Sequence, residues 1–568
     1  MKTERVDDLP LIIAEFEKSE LSKLISDHFP DHGNWRGVDG GKVAVSFLTY
    51  VLSCSDHRIS HVETWASERL ETLRHCLNCP DLTSKDLTDD KLGSLLDRFS
   101  DTESWNAFEH SHNQKLIHIH NLQLKQEAIR LDAFITQSHR EAEGDFQYGY
   151  SKHHRSDLPQ LKTMLATLDP FSMPLYSVTV SGNTSDDDLY LPIVNELIEH
   201  FPLTNQLFVG DSKMGSFNIR RHLHLNKQYY LMPLNRKQCT KEELALYLAD
   251  KPSDLVVIST EQAGKEPQIK AQAFEKTVSV TDETLNLSWE ERRIIVYSPA
   301  YAERLKAVFE DKIAKALDAL AVILVPQKGR KRLKTHSEVT LKIDKILQKY
   351  QVQKFIDVQI NERIETIKVR GHLNRPTRTQ SISHFTLDCK VNQKLAKQHL
   401  EKMGWQIYAC NAPLDYLSTK QAVRCYRNEY KIEHKFDELL NRITALMPVY
   451  LQKTNRIRAL IHLLLLALKY VSILQFNIRK ELKATKQTLK ELYPGNPGRA
   501  TDRPTTNMIL KAFRKITLVI VPMENKNFVK ISDLKPIQLK ILELLKIPPE
   551  VYLGFNKLAF SHYDFSET

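Results

Sequence analysis

Apolar residues recur at helical spacing along the first 124 residues of the chain. Side chains three and four positions apart share one face of an α-helix, so each stripe predicts a helix with one buried face. The last stripe follows Thr88, which is suited to cap a helix N-terminus. The pattern predicts a small helical domain, either a packing and dimerisation module or a DNA-binding domain, and we favour the second. The stripes are Val43, Phe47, Leu48, Val51 and Leu52; Val62, Trp65, Leu73 and Leu77; and Leu92, Leu95, Leu96 and Phe99.

The pattern changes to short apolar runs rich in β-branched residues near residue 129. Such runs are typical of strands. After the first three runs, two helical patterns follow, and each of them is followed by another short apolar run. Strands that come first and then alternate with helices indicate a mixed α/β layer. The predicted strands are 129–137, 161–168, 175–180, 206–209 and 229–232, and the predicted helices are 189–201 and 217–225.

Residues from about 235 to 400 have a different character, with strands predicted at 293–297, 355–360 and 364–369 and a helix at 300–320. This segment also carries two clusters of Lys and Arg. We interpret it as an insertion, because residues 405–410 form one more predicted strand of the α/β layer. The predicted division of the chain is a helical domain 1–124, a first core segment 125–234, a β-rich insertion 235–400, a second core segment 401–480 and a C-terminal extension 481–568.

The composition narrows the class of protein only a little. A chain of 568 residues is too long for one core, and about three or four domains are expected. The net charge of +10 suits a polyanionic partner. Seven scattered cysteines and an N-terminus without a leader pattern favour a reducing compartment. The most apolar run, Ile457 to Leu474, contains charged residues and is predicted to be a buried helix rather than a membrane span.

Three acidic residues stand in positions that require partners. Asp132 lies inside an apolar strand and Asp211 directly follows one, at the strand end where ligands gather in open α/β sheets. If residues 422–440 form one helix, Glu433 shares a face with Tyr426 and Phe436, and its desolvation needs compensation. Three carboxylates on adjacent elements would form an oxygen site suited to two Mg²⁺ or Mn²⁺ ions, which can drive phosphoryl transfer.

The order of several motifs resembles that of the DDE transposases of bacterial insertion sequences, in the branch often called the insertion-sequence-four group. The motifs are TDDKLGSLLDRF, IRLDAFIT, YGYSKHHRSDLPQLK, SGNTSDDD, FVGDSKMG, WQIYACN, the residues Tyr426, Glu433 and Phe436, and PVYLQKTNRIRALIH. The resemblance implies an RNase H-like core interrupted by a β-rich insertion, and it implies that Asp132, Asp211 and Glu433 are the catalytic, metal-binding triad. The chain departs from the branch at Glu429 and Leu440, where relatives have an Arg and a Lys that hold transposon-end phosphates.

Other charged residues have simpler interpretations. Asp186, Asp187 and Asp188 lie where a predicted helix begins and are expected to cap it and to interact with its dipole, and Asp157 is expected to pair with Arg155 on the surface. The basic clusters are either solvated loops or phosphate contacts, and we favour DNA contacts. The candidate DNA-binding residues are Tyr426, Lys328, Arg330, Lys331, Arg332, Lys334, Arg370, Arg375 and Arg378.

These features together predict a DNA transposase that binds the terminal inverted repeats of its element. It is expected to cleave DNA, to join the freed ends to target DNA, and to act as a homodimer on DNA without a membrane. A cytoplasmic, nucleoid-associated location is expected. The alternatives are a non-catalytic, transposase-derived DNA-binding regulator and a structure-specific RNase H-like nuclease.

Overall fold

The computed structural model describes residues 1–122, 127–150, 155–201, 204–260, 268–325, 332–369, 378–428, 430–522 and 527–557. The chain forms two compact units. The first, called the carboxylate unit here, combines Met1–Met232 with Cys425–Thr568, and the second, the central unit, is Pro233–Arg424. The five-segment division expected from the sequence stays a prediction.

The N-terminal region is helical, as predicted. α3 is almost wholly buried, and Thr88 Oγ1 accepts a hydrogen bond from the Lys91 backbone N–H at the start of α6. The stripe from Val62 to Leu77 belongs to two short helices rather than one. The elements are β1 (Lys2–Arg5), α1 (Leu9–Glu17), α2 (Leu21–His28), α3 (Gly40–Cys54), α4 (Val62–Ser67), α5 (Leu70–Cys76), α6 (Asp89–Phe99) and α7 (Thr102–Ile119).

A mixed sheet follows, and its strands lie within a few residues of the predicted ones. The order in the carboxylate unit is β4-β3-β2-β5-β6, with β2, β3 and β4 antiparallel and β2, β5 and β6 parallel. The chain is therefore a mixed α/β protein. The elements are β2 (Ile129–Gln137), β3 (Gln160–Leu168), β4 (Met173–Ser181), α8 (Asp187–His200), β5 (Leu207–Gly210), α9 (Phe217–Leu225) and β6 (Tyr229–Pro233).

The central unit contains both strands and helices. β12, β9, β8 and β7 are antiparallel neighbours, while β10 and β11 form a hairpin that shares an apolar core with α11, α12 and α13. The two strands predicted at 355–360 and 364–369 are one strand, because pairing with β11 continues without a break. The elements are α10 (Lys241–Ala249), β7 (Val256–Thr260), β8 (Gln268–Asp282), β9 (Leu287–Tyr297), α11 (Pro299–Ala321), α12 (His336–Tyr350), β10 (Ile356–Val369), β11 (Arg378–Val391), α13 (Gln393–Glu401) and β12 (Trp405–Cys410).

The C-terminal region completes the carboxylate unit. β13 pairs with both β1 and β14, so the two ends of the chain share a small sheet. α16 is long and apolar enough to cross a membrane, but 89% of its most apolar window is buried in the protein, as predicted for a core helix. The elements are α14 (Thr419–Arg427), α15 (Tyr430–Asn441), α16 (Thr454–Thr485), α17 (Thr506–Ala512), β13 (Thr517–Pro522), β14 (Asn527–Ile531), α18 (Pro536–Leu545) and α19 (Glu550–Leu553).

Candidate active site

Two of the predicted acids are brought together by strand register. β2 and β5 are parallel, and their last recorded pair joins Leu131 to Gly210. Asp132 and Asp211 are the residues that directly follow this last pair, and neighbouring strands lie about 4.8 Å apart. The charges of both carboxylates also act on the hydroxyl of Tyr190. The two acids therefore lie in the same part of the sheet, and both side chains are partly exposed.

The turn after β5 orients the carboxylate of Asp211. Its Oδ1 accepts hydrogen bonds from the backbone N–H groups of Lys213, at 2.9 Å, and Met214, at 3.3 Å. Gly210 permits this turn, because a Cβ at that position would lie 2.4 Å from the sulfur of Met214. The turn is thus stabilised by two backbone N–H donors and requires the side chain of Met214 to lie close to Gly210.

Tyr190 of α8 connects the two acids. Its hydroxyl donates to Asp211 Oδ1 at 2.8 Å. Burial raises the pKa of Tyr190 well above its ordinary value, and the negative charges of Asp211 and Asp132 raise it further. The phenol therefore remains a protonated donor. Within the described part of the chain, all three donors to Asp211 reach Oδ1, which leaves Oδ2 available to another ligand.

One face of β2 carries Arg130, Asp132 and Phe134, because alternate residues of a strand share a face. Arg130 Nη2 donates to the backbone oxygen of Cys425 at 2.7 Å, and the Phe134 and Phe436 rings have centroids 5.2 Å apart. Asp132 lies between these two residues on the strand. The segment from Cys425 to Phe436, which contains Glu433, is therefore attached to β2 on both sides of Asp132.

Arg130 is itself held by a buried partner. Its Nε and Nη2 donate to Asp169 Oδ2 at 2.9 and 2.6 Å, and both residues are buried. Burial opposes the charge on Arg130, but the hydrogen bonds and the charge of Asp169 outweigh it and keep the Arg130 pKa above its ordinary value. Asp169 thus orients the guanidinium that attaches the end of α14 to β2.

The prediction of one helix over residues 422–440 is wrong. α14 ends at Arg427 and α15 begins at Tyr430. The backbone oxygen of Cys425, in the last turn of α14, accepts hydrogen bonds from Arg130 Nη2 and from the backbone N–H of Asn428, at 3.1 Å. Tyr426 consequently does not share a helical face with Glu433.

Glu433 also differs from its predicted environment. It lies in the first turn of α15 and is exposed, so its carboxylate is hydrated and needs no buried partner. An acid at this position is favoured by the helix dipole alone. Glu433 precedes Phe436 by about one helical turn, which places it near the contact with β2 without making it part of the Asp132–Asp211 pair.

The carboxylate oxygens of Asp132 and Asp211 are suitable ligands for a divalent cation. Paired carboxylates with an available oxygen suit Mg²⁺ or Mn²⁺, which prefer oxygen ligands. In the residues that the structure describes, no three His, Cys, Asp or Glu side chains are grouped closely enough to hold a metal. The Asp132–Asp211 pair therefore fits such an ion, and Glu433 joins it only if the first turn of α15 moves toward β2.

A cluster of two lysines and one acid lies beside the pair. Asp186 accepts from Lys162, at 2.6 Å, and from Lys213, two residues beyond Asp211. Asp186 occupies the N-cap position of α8 but makes no side-chain capping bond, so its predicted capping role is wrong. Two ammonium groups hold its carboxylate instead. Asp157 pairs with Arg155 on the surface through two bonds of 2.8 Å, as predicted.

Arg130, Lys162 and Tyr190 were not predicted from the sequence. Arg130 and Lys162 could have been predicted in the same way as Asp132, because each is a charged residue inside an apolar strand and so requires a partner. Tyr190 gave no signal, since an aromatic residue on an apolar helix face is ordinary core material. Only the fold brings its hydroxyl to Asp211.

The predicted DNA-binding residues are described only in part. Arg332 and Lys334 are exposed, and Arg332 Nη2 lies 3.0 Å from His384 Nδ1. Arg378 begins β11, and Tyr426 is half-buried in the last turn of α14. The positions that lie outside the described residues are Lys328, Arg330, Lys331, Arg370 and Arg375, together with Glu429.

Comparison with known proteins identifies the class. The family model of the transposase DDE domain matches residues 124–469, and a domain of unknown function, DUF4277, matches residues 1–111. The chain belongs to the DDE transposase domain family, because that match covers more than half of its length. Membership implies an enzyme of polynucleotidyl transfer, in a family that typically uses divalent metal ions.

Comparisons with individual proteins do not define the function beyond the family. No curated protein sequence matches the chain. One solved structure, a cryo-EM structure of the piggyBac transposase synaptic complex with hairpin DNA, is 10% identical. The match covers 61% of this chain and 75% of that one, with a TM-score of 0.23. A score this low carries no argument about how this chain works.

Proposed function

We propose that the chain is a DNA transposase whose Asp132, Asp211 and Glu433 catalyse metal-dependent cleavage and transfer of DNA strands. Two observations support this proposal. The chain belongs to the DDE transposase family, and Asp132 and Asp211 directly follow the last paired residues of the parallel strands β2 and β5. The second observation carries the assignment, because two carboxylates close together repel each other and a divalent cation between them would offset that repulsion.

The chain's own residues prepare this site. Asp132 and Asp211 would hold two Mg²⁺ or Mn²⁺ ions, with Glu433 as the third acidic ligand. When bound, such ions supply an activated nucleophile and stabilise the leaving oxygen of a phosphodiester. Tyr190 orients Asp211 by donating a hydrogen bond to Oδ1, so that Oδ2 would be the oxygen that binds an ion. Arg130 and Phe436 keep the helix of Glu433 beside the face of β2 that carries Asp132.

The wider biology follows from the family and the charge of the chain. The core would be RNase H-like, of the insertion-sequence-four branch, with residues 235–400 as an insertion. The protein would bind the terminal inverted repeats of a bacterial element and then target DNA, as a homodimer in the cytoplasm and at the nucleoid. The helical N-terminal domain and the basic segments near residues 328–334 and 370–378 would contact DNA, since Lys and Arg bind phosphates without reading sequence.

A second candidate is a non-catalytic DNA-binding regulator derived from a transposase. The observation that favours it is the exposed position of Glu433 outside the Asp132–Asp211 pair. The same DNA-binding surfaces would serve either protein. The two candidates differ only in whether strands are cut.

The test is cleavage of a supercoiled plasmid that carries the DNA flanking the gene. The purified chain should nick or linearise it with Mg²⁺ or Mn²⁺ and not with Ca²⁺. Asp132→Ala, Asp211→Ala and Glu433→Ala should each abolish cleavage while DNA binding, measured by gel shift, is retained. Asp157→Ala is the matched control, since that carboxylate is in a surface ion pair with Arg155, and it should remain active. Full activity in any of the three variants would overturn the assignment, and strand-transfer products carrying the ends would exclude a simple nuclease.

A further inference from the structure

A cavity of about 930 Å³ opens in the carboxylate unit between α15, α16 and residues 502–505. Arg479, Lys480 and Lys483 of α16 line it, together with Arg503. We call it the basic pocket and define it by these four cations. The predicted DNA-binding clusters of the sequence lie elsewhere in the chain, in residues 328–334 and 370–378.

The four cations of the basic pocket have no acidic partner. Across the residues that the structure describes, no carboxylate oxygen lies within 4.0 Å of their side-chain nitrogens. Arg479 donates to the backbone oxygens of Pro504, at 3.0 Å, and of Arg503, at 3.4 Å, which carry no charge. The ammonium of Lys480 lies 5.5 Å from the centroid of the Phe476 ring. These contacts hold the cations in place without neutralising them.

The acids on the walls of the pocket are mostly engaged with other cations. Glu438 accepts from Lys435 at 2.6 Å, and Asp437 accepts from Arg442 at 2.6 Å. The lining holds six Lys and Arg side chains against three Asp and Glu, an excess of three positive charges. A concave surface with such an excess concentrates anions near it.

The excess charge has an electrostatic cost in the free protein. Burial lowers the pKa of Arg479, the like charge of Arg503 lowers it further, and the charges of Glu438 and Asp502 offset these effects only in part. A bound anion would offset both effects, because an opposite charge favours the ionised form of the side chain. The pocket is therefore stabilised by occupation with an anion.

We propose that the basic pocket binds phosphates of the DNA backbone next to the site of strand cleavage. The proposal rests on the proposed transposase function for the identity of the polyanion. His434, the neighbour of Glu433, is on the pocket wall, and so is Arg442 near the end of α15. From His434 to Asn441, its last residue, α15 rises about 10.5 Å, at about 1.5 Å per residue. That length corresponds to about three phosphate-to-phosphate steps of one DNA strand, each of which is about 3.4 Å along the duplex axis.

The aromatic wall of the pocket suits a backbone better than a stacked base. Phe171 and Phe476 stack on each other with centroids 4.2 Å apart, and Lys480 lies over the Phe476 ring. The Phe476 ring is thus contacted both by another ring and by an ammonium group, whereas base stacking needs a free face. The pair provides an apolar wall against which deoxyribose can pack, while the cations reach the phosphates.

The test measures how DNA affinity depends on salt. A fluorescein-labelled duplex is titrated with the full chain in Ca²⁺ at several salt concentrations, and affinity is read from anisotropy. The double variant Lys480→Gln, Lys483→Gln should weaken binding severalfold and lower the slope of log affinity against log salt by about 2, since each phosphate contact contributes about 0.9. The matched control is Lys511→Gln, Lys530→Gln, which removes two exposed lysines of the same unit that lie outside the pocket and outside the segments proposed to contact DNA. It should leave the slope unchanged.

A second readout locates the contact without a variant. Lysine acetylation followed by mass spectrometry should show DNA protecting Lys480 and Lys483 but not Lys511 and Lys530. The proposal is overturned if the pocket variant keeps the parental slope, or if inorganic phosphate protects the two lysines and DNA does not. If the parent chain fails to cleave DNA in Mg²⁺ while DNA still protects Lys480, the catalytic proposal falls and the DNA-binding pocket remains.

Discussion

Replacing Arg130 by methionine tests how the helix of Glu433 is positioned. Arg130 makes two hydrogen bonds to Asp169 and one to the backbone oxygen of Cys425 from a buried position on β2. Methionine has similar length and fills the space, but it makes none of these bonds. The substitution therefore leaves the Asp169 carboxylate buried without its cation and frees the end of α14.

The expected effect has a global and a local part. Removing one partner of a buried ion pair lowers the free energy of unfolding by about 3–5 kcal/mol, because the remaining charge is uncompensated. The free energy of local opening at α14 and α15 should fall by about 1.5–3 kcal/mol, because one hydrogen bond from a charged donor is lost, and their amides should exchange about 10-fold to 100-fold faster. Cleavage of DNA should fall with it if Glu433 is catalytic, whereas DNA binding should change little.

Hydrogen exchange followed by mass spectrometry measures this directly. Peptides covering α14 and α15 are compared with peptides from α3, which makes no contact with Arg130. The double variant Arg130→Met, Asp169→Leu is the control, since replacing both members of a buried pair by apolar residues is often nearly neutral. Unchanged exchange in residues 425–436 of Arg130→Met would refute the positioning role. A double variant less stable than the single would refute the ion-pair argument.

Two further predictions concern stability. Asp186→Asn leaves the buried Lys162 ammonium without its acid and should lower the free energy of unfolding, measured by urea titration, by about 3 kcal/mol. The control Asp187→Asn changes an exposed acid at the start of the same helix and should lower it by less than about 1 kcal/mol; an equal loss in the two variants would contradict the prediction. Burial and the charge of Arg458 lower the pKa of His462 to about 4. Unfolded His titrates near 6.5, so the unfolded state binds more protons between these values and stability is lost as the pH falls from about 6.5 toward 4. Between about pH 7 and pH 5, the free energy of unfolding of His462→Leu should fall by about 2 kcal/mol less than that of the parent chain. An unaltered pH dependence of stability would contradict the lowered pKa of His462.

Much of the secondary structure could be predicted from local patterns. β2, β12 and α9 begin and end where their apolar runs do, because alternation and helical spacing depend on residues a few positions apart. The break between α14 and α15 could not be predicted in this way. The last turn of α14 there makes a hydrogen bond from Arg130 to the oxygen of Cys425, two residues that are far apart in the chain. Helical spacing depends only on residues a few positions apart and carries no information about such a distant partner.

The same division holds for the candidate site. The sequence alone placed Asp132 in a strand and Asp211 at a strand end, because a charge within or directly after an apolar run is visible without any fold. It could not show that the two acids are neighbours, since strand register depends on hydrogen bonds between segments about 80 residues apart.

Tertiary structure alone decided which groups surround these acids. Tyr190 reaches Asp211 from α8, and Arg130 and Phe134 attach α14 and α15 to β2. It also brought Arg479 and Arg503 together in a pocket that no local cluster of basic residues predicted. Periodicity reports which side of an element is buried, whereas the partner on the other side is chosen by packing and pairing over long distances along the chain.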